Sequence, residues 1–172
     1  MRKRGLLLVN LGTPDSTEVR DVRRYLDEFL SDPRVIDVAP ALRTLLVKGI
    51  ILPTRPRKSA AAYRVIWTED GSPLLVYGRE LEREVAEQLG SEWKVVLAMR
   101  YQNPSIEKGF AELRREGVDD VVVFPLFPQY SSAAYGSAVA RVYDVASTFW
   151  TTPFIQVVPP YYDAVPLSLI HI

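Results

Sequence analysis

The sequence predicts an α/β domain, an open parallel sheet with helices on both faces in the flavodoxin-like manner. Three observations carry this. Val121-Val122-Val123-Phe124 is a continuous apolar run, preceded by Asp119-Asp120 and closed by Pro125 and Pro128. A short β-branched run bounded by turn signals reads as a strand buried on both faces, as parallel sheets require. Leu6–Leu11, Trp93–Tyr101 and Phe154–Val158 have similar character. Segments with helical spacing separate these runs, and strands alternating with helices form parallel sheets with right-handed crossovers.

Taken in order, the first strand is broken by Gly12-Thr13-Pro14-Asp15, and Asp15, Ser16 and Thr17 are all good helix caps. Val22, Leu26, Phe29 and Leu30 recur at helical spacing, so a helix is expected from about residue 17 to 31, ended by Pro33. Pro40 to Leu52 is an amphipathic apolar stretch closed by Pro53. A basic cluster of Arg55, Arg57 and Lys58 follows, ahead of a helix from Ser59 to Trp67. Arg79 to Leu89 carries Leu81, Val85 and Leu89 on one face and stops at Gly90. Ile106, Phe110 and Leu113 mark a further helix ended by Gly117, and Ala133 to Ser147 another. No repeat or low-complexity segment interrupts this order.

Composition narrows the function. The 172 residues are 48% apolar and carry 21 basic and 21 acidic side chains. That is enough apolar content for one sizeable core, and a zero net charge argues against a general nucleic-acid binder. With no cysteine there is neither a disulfide framework nor a thiolate metal site. The basic start, Met1-Arg2-Lys3-Arg4, lacks the long apolar stretch of a secretory signal, and no run approaches the roughly 18 apolar residues of a membrane span. A cytoplasmic domain is expected.

Three places read as candidate sites. Gln129-Tyr130-Ser131-Ser132 follows the strand at Val121–Phe124, at the carboxyl end where open α/β sheets bind ligands. It offers a ring and hydroxyls but no strong acid or base, so it reads as a pocket wall. The strand–glycine–helix unit at Gly12 to Thr17 can be an anion site on a helix N-terminus or a plain βα turn. It has neither GxGxxG nor a Walker lysine. The basic cluster at Arg55 beside apolar surface suits an apolar ligand with carboxylates at its rim, since guanidinium binds carboxylate in a bidentate fork. It can equally be a solvated turn.

Five segments in order, LLLVNLGTPDS, RPRKSAAAY, Gly71-Ser72-Pro73, Met99-Arg100-Tyr101 and FPLFPQYSS, resemble the ferrochelatase family. That resemblance implies a two-domain parent that inserts ferrous iron into protoporphyrin IX, of which this chain is the amino-terminal half. Fe²⁺ and the porphyrin would be substrates, with no permanently bound cofactor. It implies porphyrin contacts at Leu11, Arg55, Tyr63, Ser72, Arg100, Tyr101 and Tyr130. It also implies a lip over the pocket at residues 40–53, able to rest on the inner membrane. The family's catalytic histidine and glutamate belong to the carboxyl-terminal half, so this chain alone is expected to be inactive. Coproporphyrin III is the alternative substrate, and a non-catalytic flavodoxin-like nucleotide- or anion-binding module is the alternative of another class. Residues 1–166 are assigned to the domain. The last six residues, LSLIHI, read as a translated sequencing adapter, which would make His171, the only histidine, an artefact.

Overall fold

The computed structural model describes residues 3–168. Four strands, β1 (Arg4–Gly12), β2 (Trp93–Tyr101), β3 (Asp120–Pro125) and β4 (Phe154–Val157), form one sheet in the order β2-β1-β3-β4. All neighbours are parallel: Leu8 faces Leu97 and Phe124, and Val123 faces Val157. The expected fold class therefore stands. Pro125 is the last residue of β3, and the next amide, Leu126 N–H, resumes pairing with the Val9 carbonyl at 2.8 Å. A residue without an N–H is tolerated there because the strand stops on it.

The helices are α1 (Val19–Ser31), α2 (Pro40–Thr44), α3 (Leu52–Ile66), α4 (Pro73–Leu89), α5 (Ile106–Arg115), α6 (Ser137–Ser147) and α7 (Val165–Ser168). Alternation along the strands divides the core. Leu7, Val9, Val96, Ala98, Val121 and Val123 pack against Ile106, Phe110 and Leu113 of α5 and Val142 and Val145 of α6. On the opposite face Leu6, Leu8, Val95, Leu97 and Met99 meet Leu75 and Val85 of α4. Gly78 and Gly109 allow the close approach: a Cβ on either would lie 2.8 Å from Leu97 or Leu7, respectively. A third cluster joins α1 (Val22, Tyr25, Leu26) to Val47, Leu52 and Ala60, and to Tyr101 at the end of β2.

Four expectations need correction. β3 is not buried on both faces: Val121 and Val123 are, but Val122 and Phe124 are half-buried. The face carrying Val122 and Phe124 gets its helical cover from α4, which lies over β1 and β2, and Phe124 finds Tyr161 at 5.1 Å between ring centroids instead. Secondly, neither Asp15, Ser16 nor Thr17 caps α1. The cap position is Glu18, and Ser16 Oγ accepts the Glu18 N–H at 3.1 Å. Thirdly, Pro53 does not close the segment before it. Residues 40–66 run as helix throughout, through a π-helical stretch, Leu45–Ile51, that feeds directly into α3. Pro53 lies in the first turn of α3, where its missing N–H is tolerated, and the wider π turn ahead of it changes the hydrogen-bond register. Arg55, Arg57 and Lys58 are consequently helical, as is the interior Pro56. Lastly, α4 begins at Pro73, not near Arg79, because Ser72-Pro73 supplies a cap position followed by proline in the first turn.

Candidate functional site

The carboxyl ends of β1, β2 and β3 lie side by side, and the candidate residues gather around them. Gly12 pairs with Tyr101 at the end of the β1–β2 ladder and has φ 115°. A Cβ there would run into the Tyr101 carbonyl oxygen, so backbone packing alone accounts for this glycine. Next to it, buried Thr13 donates its hydroxyl to Ser72 Oγ at 2.8 Å. That contact fastens the loop after β1 to the start of α4.

Asp32 is the centre of the site. It caps the end of α1, and its side chain is 4% exposed. Its Oδ2 accepts from Arg100 Nη2 at 2.6 Å, Tyr101 Oη at 2.9 Å and Ser137 Oγ at 2.5 Å. Its Oδ1 accepts the Arg34 N–H at 2.7 Å. Arg100 Nε also donates to Ser137 Oγ at 2.7 Å. One carboxylate thus ties together α1, β2 and the start of α6. Burial alone would raise the Asp32 pKa. The hydrogen bonds from Ser137, Arg34 and Tyr101, with the Arg100 charge, outweigh it and hold the carboxyl below the usual range.

An aromatic row extends from this hub. Arg100 lies over the Tyr101 ring at 4.4 Å. Tyr101 meets Phe29 edge-on at 5.2 Å, Phe29 stacks on Tyr25 at 5.9 Å, and Tyr25 meets Tyr63 edge-on at 6.3 Å. Tyr63 in turn meets Trp67 at 6.2 Å. Burial pushes the phenols of Tyr25 and Tyr63 up, and that of Tyr101 up to about 12. None of the three is a base near neutral pH. They offer ring faces and neutral hydroxyls.

Four of the expected contact residues therefore come together: Leu11, Tyr63 and Tyr101 share the cluster with α1, and Arg100 adjoins it. Tyr101 is wholly buried and Arg100 is ion-paired. The other three line separate hollows. Tyr130, 62% exposed, lines a cavity of 530 Å³ with Leu126, Phe127, Gln129 and Tyr162, and tilts against Tyr135 at 5.6 Å. Arg55 projects from the outer face of α3 beside Lys58 and Ser59, with no hydrogen bond or ion pair among the described residues. Ser72 borders a hollow of 360 Å³ with Thr13, Asp70 and Lys108. The sequence alone does not single out Asp32, Ser137 or Tyr25. The Asp32-Pro33 pair after a helix marks a local cap, but its partners Arg100, Tyr101 and Ser137 lie 68, 69 and 105 residues away. His171 lies outside the described residues.

Among the described residues no group of three or more His, Cys, Asp or Glu side chains is placed to hold a metal ion. No helix among them is long and apolar enough to cross a membrane.

Comparison with known proteins agrees with the geometry. A model of the ferrochelatase family matches residues 3–170. Ferrochelatase of Opitutus terrae is 45% identical over 164 residues, covering 95% of this chain and 48% of that protein. Ferrochelatase of Legionella pneumophila (strain Paris) is 46% identical over 161 residues, 94% of this chain and 48% of the relative. Ferrochelatase of Coxiella burnetii (strain Dugway 5J108-111) is 50% identical over 140 residues, 81% and 40% respectively. The chain thus spans about half the length of the curated relatives it matches, and on these matches and this sheet it belongs to the ferrochelatase family.

Proposed function

We propose that the complete protein of which this chain forms the amino-terminal half inserts Fe²⁺ into protoporphyrin IX in haem synthesis, and that the chain supplies one wall of the porphyrin pocket. The observation that carries this is the family match along nearly the whole chain. The row of aromatic rings and cations at the strand ends supports it, because a flat apolar macrocycle with carboxylates at its rim calls for ring faces and guanidinium groups. Leu11 and Tyr63 would line the ring, and Tyr130 would stack near it. Arg55, without a hydrogen bond or ion pair among the described residues, would hold a propionate at the rim, and Ser72 would fix the turn that frames the pocket. Arg100 and Tyr101 would shape the wall from behind.

Insertion needs groups that accept two pyrrole protons and a route that delivers the metal. The phenols here titrate too high for the first task. We assign both tasks to the carboxyl-terminal half and expect this chain alone to be inactive. Leu42, Leu45 and Ile50 are more than half exposed on the 40–53 segment, which suits peripheral contact of a cytoplasmic protein with a bilayer.

The nucleotide-binding alternative finds little support at Gly12 to Thr17. Asp21 sits in the first turn of α1, with Ser16 donating to it and Arg24 beside it, so that N-terminus already has its anion. A competition assay on the complete protein separates the porphyrins. The proposal expects protoporphyrin IX to be metallated in preference to coproporphyrin III, and the reverse preference would replace the substrate named here.

A further inference from the structure

Two arginines near the strand ends differ in how their charge is matched. Arg100 is neutralised: its guanidinium pairs with the Asp32 carboxylate at 2.6 Å and its side chain is only 15% exposed. Arg34, two residues after Asp32, is exposed and has no carboxylate partner among the described residues. Its backbone is nonetheless fixed, because its N–H is held by Asp32 Oδ1 at 2.7 Å. Its guanidinium and the Tyr130 hydroxyl flank Gly136: Arg34 Nη1 and Tyr130 Oη lie 3.3 and 3.2 Å from the point a Gly136 Cβ would occupy. A side chain at Gly136 would intrude between the cation and the phenol, and Tyr130 itself lines the 530 Å³ cavity.

We infer that Arg34, with Tyr130 on the other side of Gly136, binds a carboxylate of the substrate, and that Asp32 is the positioning residue that both fixes Arg34 and withdraws Arg100 from that role. A guanidinium whose backbone is already ordered loses less freedom on binding, and paired with a phenolic hydroxyl it gives a carboxylate two charge-assisted or polar donors. This assigns the carboxylate-holding cation on the Tyr130 side to an exposed loop residue instead of the strand-end arginine.

The inference rests on the porphyrin reading, and the test separates the two. Binding of protoporphyrin IX and of its dimethyl ester to the complete protein would be followed by the shift of the porphyrin absorption band. Variants would be Arg34→Ala, Arg34→Lys and Arg55→Ala, each checked by thermal melting. Arg34→Ala is expected to weaken the dicarboxylate about tenfold, the scale of one charge-assisted hydrogen bond, to leave the ester unchanged and to melt like wild type. Arg34→Lys should recover part of the loss. If Arg34→Ala binds both porphyrins like wild type while Arg55→Ala weakens the dicarboxylate, the inference is overturned and the porphyrin reading survives. If the wild-type protein binds neither porphyrin, both fall.

Discussion

Asp32→Ala is expected to destabilise the fold by about 3–5 kcal/mol, the usual cost of stripping one partner from a buried ion pair. The structure supplies the terms. The variant removes the acceptor shared by the Tyr101 and Ser137 hydroxyls, 0% and 1% exposed; these lie 3.1 Å apart, so one can donate to the other and one buried donor is left unmatched. An orphaned buried donor costs about 1–3 kcal/mol, and loss of the carboxylate's charge from the Arg100 pair adds to it. Arg100, with its side chain 15% exposed, can turn toward water and adds less. In a domain of this size the loss corresponds to a fall in Tm on the order of 10 °C. Asp32→Asn should fall between, since the amide keeps an acceptor oxygen but turns an NH₂ toward the donors. Because the folded pKa of Asp32 is depressed, its contribution is complete above the unfolded value, about 3.9, and is lost as pH falls through the lower folded value. Urea denaturation followed by circular dichroism at pH 7 and at pH 3 reads both effects. A loss below about 1 kcal/mol at pH 7, the level of an exposed pair, would refute the hub. So would a gap between wild type and Asp32→Asn that widens on acidification.

Other expectations follow from the same geometry. Gly12→Ala must place a Cβ against the Tyr101 carbonyl at φ 115°, and is expected to lose about 3 kcal/mol or more, seen as a lower urea midpoint or no soluble protein. Phe110→Ala empties a site 0% exposed at the centre of the α5 face, and should cost about 3–5 kcal/mol by urea denaturation. Arg55→Ala removes an exposed side chain with no hydrogen bond or ion pair among the described residues and should leave stability within about 0.5 kcal/mol, while weakening porphyrin binding by the complete protein. Ser105→Ala deletes the hydroxyl that accepts the Lys108 N–H at the start of α5, for about 1 kcal/mol in the same titration.

The parts of this fold legible in the sequence are those set by short-range pattern. Trp93–Tyr101 and Val121–Phe124 are apolar runs dense enough to be strands in any setting, and β2 and β3 lie there. Gly90 and Gly117 stop helices by adopting positive φ, which the sequence signals directly. Pro53 misled because a proline is a stop only if the hydrogen-bond register before it stays α-helical, and here a π-helical stretch changes it. The site was legible in its parts but not in its wiring. Arg100-Tyr101 at a strand end could be noticed, but only the sheet order brings it to Asp32 and Ser137, so the pairing that neutralises Arg100 is a property of tertiary structure. The burial of Tyr101 is likewise set by α1 packing over the strand end, through Phe29.

The central claim is that this chain is half of a porphyrin-metallating site, and iron insertion tests it most directly. The assay would compare the complete protein with the 172-residue chain, each supplied with Fe²⁺ and protoporphyrin IX without oxygen. Protohaem formation by the complete protein, abolished or strongly reduced by Tyr63→Ala, and none by the chain alone is the expected result. No protohaem from the folded complete protein, or turnover by the chain by itself, would contradict the account.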